Sequence, residues 1–175
     1  MQTFVLAGGC FWCLDAVCRV LSGVQDVVSG YSGGVAVDPD YETVCTGTTG
    51  HAEAVAVTFD PDVIPAEVIL DMFFTLHDPT QLNRQGADIG TQYRSAMFFD
   101  GDEQRMLFEA ARERAAGYWD STVVTTIEPL GAFYRAEEYH QDFFAKNPGQ
   151  GYCLAVARPK VNKIRASYAQ YVIAA

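Results

Sequence analysis

Basic residues are scarce in this chain. Its 175 residues include 12 lysines and arginines against 22 aspartates and glutamates, which gives a formal net charge of −10 at pH 7. A protein that binds nucleic acid without regard to sequence needs a basic face, so this composition argues against nucleic-acid binding. The acidic surplus fits a soluble protein and says little about the substrate.

Long apolar segments are also absent. No stretch approaches the ~20 apolar residues of a membrane span. The first apolar run, residues 3–6, is short and follows no basic leader. We therefore expect neither a membrane span nor an export signal, and a cytoplasmic location.

The cysteines disfavour both a disulfide framework and a zinc site. There are five, an odd number, and their spacing is unlike that of a small secreted domain. A single C-x-x-C motif occurs, without a second ligand pair at the distance found in zinc ribbons or fingers. In a reducing cytoplasm such cysteines tend to be catalytic, metal-binding or inert, and because the spacing disfavours zinc we expect no metal.

The composition favours one compact domain. Apolar residues make up 49% of the chain, aromatic residues 13% and charged residues 19%, which is typical of a globular protein rather than a disordered one. A chain of this length can bury a substantial core as a single domain over residues 1–175. No repeat or linker divides it.

Hydrophobic patterns predict strands and helices that alternate along the chain. Helical spacing, alternation with a period of two, and glycine or proline at the ends define the segments. The predicted strands are residues 3–6, 24–31, 53–59, 93–99 and 122–128, and the predicted helices are residues 10–21, 65–77, 101–116 and 161–171. This order predicts a two-layer α/β or α+β domain, with helices packed on a sheet.

The most informative segment is the C-x-x-C motif. Cys10 and Cys13, separated by Phe11 and Trp12, follow a glycine pair at the predicted start of a helix. The thiolate is the reactive form of cysteine, and a helix N-terminus favours it. This position favours a reactive Cys10 over a cysteine that only fills space. Cys13 lies one turn further on the same face, and the two aromatic residues belong either to the core or to an apolar wall beside the thiol.

Glu53 stands out in the strand predicted at residues 53–59. By parity its side chain shares a face with Val55, Val57 and Phe59, which should be buried. A carboxyl group in apolar surroundings has a raised pKa and can donate a proton near neutral pH. The alternative places Glu53 at the strand end, turned to solvent.

A polar loop at residues 77–95 is the third candidate for function. Loops of this length in a compact domain are usually functional or disordered, and its aromatic, amide and carboxylate groups favour binding. Asp88 and Tyr93 are the strongest candidates in it.

Several long motifs accompany the C-x-x-C in a fixed order. They are Gly8-Gly9-Cys10-Phe11-Trp12-Cys13, Gly30-Tyr31-Ser32-Gly33-Gly34, Gly50-His51-Ala52-Glu53, the loop from His77 to Ser95, and Tyr139-His140-Gln141 followed by Asn147-Pro148. Over roughly residues 3–165 the chain resembles class A peptide methionine sulfoxide reductases. The fold implied is an α/β sandwich related to the ferredoxin-like arrangement, with a mixed sheet.

The resemblance implies a reaction at Cys10. This residue would attack the sulfur of a methionine sulfoxide of S configuration, free or in a protein. Glu53 would give a proton to the sulfoxide oxygen, and Tyr41 and Tyr93 would hydrogen-bond that oxygen. A sulfoxide oxygen leaves poorly until it is protonated, so a neutral acid beside the nucleophile is needed.

The resemblance also implies the surroundings of the reaction. Asp88 would help hold the site and its water, and Phe11 and Trp12 would enclose the S-methyl group. No cofactor is implied: electrons would come from thioredoxin, or from dithiothreitol (DTT) in vitro. The protein is expected to be a monomer.

The product at Cys10 would be a sulfenic acid, which condenses with a thiol to a disulfide. Cys153 matches the position of a resolving cysteine in many members, within a glycine-rich segment that could swing toward Cys10. Cys13 is the second candidate, since it is already close, although helix geometry restrains it. Cys18 and Cys45 are interpreted as buried structural cysteines.

Two other hypotheses remain at this stage. A general thiol–disulfide oxidoreductase would use the C-x-x-C but would leave Glu53, Tyr41 and Tyr93 unexplained. A non-catalytic module could instead bind oxidised or apolar peptides through Phe11 and Trp12.

Overall fold

A mixed sheet of six strands forms the centre of the fold. The structure, a computed structural model, describes residues 1–174. In spatial order the strands are β7 (Thr126–Pro129), β6 (Ser95–Phe99), β1 (Gln2–Gly8), β3 (Ala52–Phe59), β2 (Val24–Ser32) and β8 (Phe133–Arg135). Neighbours are antiparallel except β6 and β7, which are parallel. A separate hairpin pairs β4 (Arg84–Gln85) with β5 (Asp88–Ile89).

Helices pack on this sheet. They are α1 (Phe11–Cys18), α2 (Tyr41–Cys45), α3 (Ala66–Leu76), α4 (Asp102–Ala116), α5 (Phe143–Lys146) and α6 (Arg158–Ser167). A π-helical turn, Cys153–Ala157, leads directly into α6. Within residues 1–174, no helix has both the length and the apolar character needed to cross a bilayer.

The core lies between the sheet and the helices. Phe4 of β1 is paired in register with Val57 of β3, and both are fully buried. The Phe4 ring lies 5.0 Å from the ring of Phe59 and 5.1 Å from that of Phe108 on α4, both at steep angles. These edge-to-face contacts are a favoured geometry for aromatic pairs. The alternation predicted for β3 is therefore the one that builds the core.

The predicted fold class is confirmed, with a mixed sheet and helices packed on it. Several boundaries were wrong. The first helix ends at Cys18 rather than at residue 21, and the strand predicted from residue 122 begins only at Thr126. The last helix begins at Arg158 instead of residue 161. Boundaries are the least determined feature of a periodic pattern.

Two elements near the site were missed. Strand β8 has three residues and exists because it pairs with the edge of β2. Helix α2 has five residues, begins with a capping box between Asp40 and Thr43, and buries only Val44. Neither element is long enough to show a hydrophobic period.

His77 ties the end of α3 to the sheet. It is buried, its Nδ1 lies 2.7 Å from the Phe73 carbonyl oxygen and its Nε2 lies 2.7 Å from Ser95 Oγ. Since a carbonyl can only accept, Nδ1 carries the hydrogen and Nε2 accepts from the Ser95 hydroxyl. The pKa of His77 is lowered to about 4, because burial disfavours its charged form.

This histidine should make the protein sensitive to acid. Its pKa is lower in the folded protein than in the unfolded chain, so the unfolded chain takes up a proton first and stability falls between about pH 6.5 and pH 4. The effect is worth at most about 3 kcal/mol. We expect His77→Gln to flatten this part of the profile of unfolding free energy against pH, measured by urea denaturation. Parallel profiles for the two proteins would contradict the assignment.

Candidate active site

Cys10 lies at the N-cap of α1, where the chain turns out of β1. Gly9 makes the turn with a φ of +93°, and a Cβ there would meet the Gln85 side chain at 2.8 Å, so glycine is needed on both counts. The Cys10 side chain is nearly buried, with 8% of the residue exposed. The predicted position at a helix start is confirmed.

The electrostatics at Cys10 differ from the prediction. Burial and the neighbouring Glu53 carboxylate raise the pKa of the Cys10 thiol well above its ordinary value, although the Trp12 N–H lowers it in part. The helix end therefore does not by itself produce a resting thiolate. If Glu53 lost its charge, one of the two main causes of the raised Cys10 pKa would be removed, and the pKa of the thiol would fall.

Glu53 is the buried acid at the start of β3. It is 1% exposed, and its Oε2 accepts a hydrogen bond of 3.0 Å from the Phe11 N–H. Burial raises the pKa of Glu53 to about 8, the Phe11 N–H lowers it in part, and Asp88 raises it further. The solvent-facing alternative is wrong, and a carboxyl group with this pKa can donate a proton near neutral pH.

Tyr41 and Tyr93 come from two separate elements, and both interact electrostatically with Glu53. Tyr41 opens α2, and Tyr93 ends a 3-10 turn. Burial raises the pKa of both phenols, and the charge of Glu53 raises it further. Both hydroxyls therefore stay protonated and can donate hydrogen bonds.

Asp88 reaches the thiols through Tyr152. The Tyr152 hydroxyl donates to Asp88 Oδ2 at 2.6 Å, and Cys13 Sγ lies 3.9 Å from the same hydroxyl oxygen. The hydroxyl also interacts with the Cys10 thiol. Tyr152 was missed as a site residue, and its only signal in the sequence is its place beside Cys153.

Phe11 and Trp12 form an aromatic wall. Phe11 is fully buried against the rings of Tyr31 and His140. Trp12 is half-buried and stacks on Phe143, with ring centroids 3.7 Å apart and planes within 4°. Its indole N–H donates to His140 Nδ1 at 3.0 Å. The interpretation as core holds for Phe11, whereas Trp12 keeps an open surface.

The other cysteines differ in their surroundings. Cys18 is fully buried and burial raises its pKa to about 12, as expected of a structural cysteine. The same prediction for Cys45 was wrong: it is exposed at the end of α2, where its thiol meets the Tyr41 hydroxyl. Cys153 is fully buried in the π-helical turn rather than in an open glycine-rich loop. Cys13 interacts electrostatically with both Cys10 and Cys153.

Known proteins with similar sequences and folds identify the family of this chain. A profile of the family described as "Peptide methionine sulfoxide reductase" matches residues 2–172. A peptide methionine sulfoxide reductase MsrA of Clavibacter michiganensis subsp. michiganensis is 72% identical over 175 residues, which is 100% of each chain.

Solved structures support the same assignment. Mxr1 from Saccharomyces cerevisiae in reduced form superposes with a TM-score of 0.82 and 37% identity, covering 87% of this chain and 88% of Mxr1. The complex of Mxr1 with Trx2 matches with a TM-score of 0.58 and 28% identity, covering 81% and 84%. This chain belongs to the peptide methionine sulfoxide reductase family and is an oxidoreductase.

Proposed function

We propose that the protein reduces methionine-S-sulfoxide, free or within proteins, to methionine, with Cys10 as nucleophile and Glu53 as acid. The observation that carries the proposal is the buried Glu53, which is protonated near neutral pH and lies beside a nearly buried cysteine. Tyr41 and Tyr93 would donate to the sulfoxide oxygen, and Phe11 and Trp12 would enclose the methyl group.

The first step transfers the oxygen to Cys10. Glu53 gives its proton to the sulfoxide oxygen while the Cys10 sulfur attacks the substrate sulfur, and the carboxylate takes up the proton of the thiol. The hydroxyl then passes from the substrate sulfur to the Cys10 sulfur, and the new sulfur–sulfur bond breaks with its electron pair left on the substrate sulfur, which gives methionine and a sulfenic acid on Cys10. Substrate sulfur is reduced, Cys10 is oxidised, and Glu53 ends the step protonated.

The second step is a relay through Cys13 to Cys153. Cys13 interacts electrostatically with both of the other thiols, Cys10 and Cys153, so it can connect them. Cys13 would attack the sulfenic acid to form a Cys10–Cys13 disulfide and water. Cys153 would then attack the Cys13 sulfur, which gives a Cys13–Cys153 disulfide and frees the Cys10 thiol. Compared with Cys153 as first resolver, this order needs no initial unwinding of the π-helical turn.

Thioredoxin would supply the electrons, and DTT would replace it in vitro without a further cofactor. The complex of yeast Mxr1 with Trx2 supports this partner. We propose a cytoplasmic monomer, in keeping with a reducing environment for five free cysteines. A general thiol–disulfide oxidoreductase is not favoured, since it gives no role to Glu53 or the two tyrosines.

Replacement of the nucleophile should abolish the reaction. We expect Cys10→Ser to lose turnover of a methyl sulfoxide with DTT, because a hydroxyl cannot carry the oxygen as a sulfenic acid. Cys18→Ser is the matched control, as Cys18 lies in the core and has no role in the steps above. Sulfoxide reduction by the Cys10 variant would refute the proposal.

Loss of the acid should change both the rate and its pH dependence. Glu53→Gln should slow sulfenic acid formation by about 10²–10⁴-fold, the usual contribution of a positioned acid, with substrate binding largely kept. In the wild type the rate should fall as pH rises through about 8, where the carboxyl group ionises. A single-turnover pH profile tests this, and a variant that kept the alkaline fall would show that another group causes it.

The relay can be read from disulfides after one turnover without reductant. Mass spectrometry should find Cys10–Cys13 in the Cys153→Ser variant, Cys13–Cys153 in the wild type, and a sulfenic acid in the Cys13→Ser variant. A Cys10–Cys153 disulfide that forms equally fast without Cys13 would contradict this order and favour Cys153 as first resolver.

A further inference from the structure

Behind the aromatic wall lies a pair of polar residues without a role in the steps above. Glu137 precedes a short 3-10 turn, and His140 ends it. His140 is fully buried, and the rings of Trp12, Tyr41 and Tyr139 lie with their centroids 4.0–5.7 Å from its own. A histidine surrounded by rings of the substrate site can affect their positions.

The hydrogen bond from Trp12 fixes the tautomer of His140. An indole N–H can only donate, so His140 Nδ1 accepts and the imidazole hydrogen is on Nε2. That nitrogen lies 3.3 Å from Glu137 Oε2. The contact falls outside full hydrogen-bond geometry, and within residues 1–174 Nε2 has no other partner. The interaction with the carboxylate is therefore mainly electrostatic.

Glu137 holds the other side of the site. Its Oε1 accepts the backbone N–H of Tyr41 at 2.9 Å, and its Oε2 accepts the Tyr31 hydroxyl at 2.9 Å. One carboxylate thus connects the start of α2, which carries Tyr41, with the imidazole that orients Trp12. The two residues meet opposite parts of the same proposed substrate: Trp12 its methyl group, and Tyr41 its oxygen.

We propose that Glu137 and His140 are positioning residues, which hold Trp12 and Tyr41 at the separation that a methyl sulfoxide requires. This inference rests on the proposed function, which assigns those two residues to the substrate. A phenyl ring would fill the space of His140 equally well but would leave the Trp12 N–H without its acceptor. Glu137 and His140 therefore serve to orient Trp12 and Tyr41, and not merely to fill space in the core.

The two residues should affect different kinetic constants. His140→Phe releases Trp12 and should raise KM for a methyl sulfoxide about tenfold, the cost of roughly one hydrogen bond, with a smaller effect on kcat. His140→Gln should restore KM, since an amide oxygen can accept the indole N–H. In a Trp12→Phe background, His140→Phe should raise KM no further, because the coupled partner is gone.

Glu137 variants should act mainly on kcat through Tyr41. Three donors compete for the single amide oxygen of Glu137→Gln, and Glu137→Leu has no acceptor. We therefore expect kcat to fall in the order wild type, Glu137→Gln, Glu137→Leu, with a total loss of about tenfold. If Glu137→Leu folds poorly, the smaller loss of kcat expected for Glu137→Gln still tests the prediction.

Fluorescence gives a readout that does not depend on turnover. The chain has two tryptophans, and Trp119 lines a cavity of about 350 Å³ with Asp71 and Tyr168, among residues without a role in the site. In a Trp119→Phe background, emission reports Trp12 alone. His140→Phe should shift its maximum and lower its anisotropy, and His140→Gln should do neither.

The outcomes separate positioning from stability. Variants at Glu137 and His140 that lose melting temperature but keep wild-type KM, kcat and Trp12 emission would overturn the inference and leave a structural role. Wild-type protein that fails to reduce the sulfoxide at all would overturn the proposed function instead. In that case a change in Trp12 emission on His140→Phe would still support the link between the two residues.

Discussion

The hydrogen bond from the Phe11 N–H to Glu53 joins the first turn of α1 to β3, and the arrangement of the site depends on it. The first N–H groups of a helix lack partners within the helix. Here a carboxyl group from a strand 42 positions along the chain satisfies one of them. One N–H group at the start of the helix thus binds Glu53 rather than the Cys10 sulfur. This hydrogen bond helps to explain why an acid can lie in the core beside a thiol.

Proton sharing is the second constraint on the site. Burial raises the pKa of both groups and the Glu53 charge raises that of Cys10 further, although a hydrogen bond with Cys10 lowers the pKa of Glu53 in part. The resting site therefore holds both protons at neutral pH. A neutral sulfoxide can therefore bind beside two uncharged groups. The proposed first step then moves protons only among the Cys10 sulfur, the Glu53 carboxyl group and the sulfoxide oxygen.

The sequence was informative where function follows a local pattern. The turn at Gly9 and the parity of β3 placed Cys10 and Glu53 correctly, because both positions follow from short-range geometry. Tyr41 and Tyr93 could be found only through the resemblance, since they lie in short elements without a period. Cys45 was misplaced, because α2 buries a single residue and leaves the rest of its turn exposed.

Other parts of the site had no local signal. The indole of Trp12 and the imidazole of His140 are 128 positions apart in the chain, and Tyr152 is 139 positions from Cys13. Such contacts arise only when the C-terminal third folds back over α1, and no periodicity records them. The tertiary fold therefore determines how the aromatic wall is oriented.

The burial of Cys153 has a consequence for how electrons enter the protein. A sulfur in the π-helical turn that solvent does not reach is also out of reach of a protein reductant. In the proposed relay, collision with the reductant is productive only while this turn is unwound. The rate at which the protein is reduced would then depend on how often this one irregular turn opens. A more stable turn would resist unfolding better, but it would also slow the return of the enzyme to its reduced form.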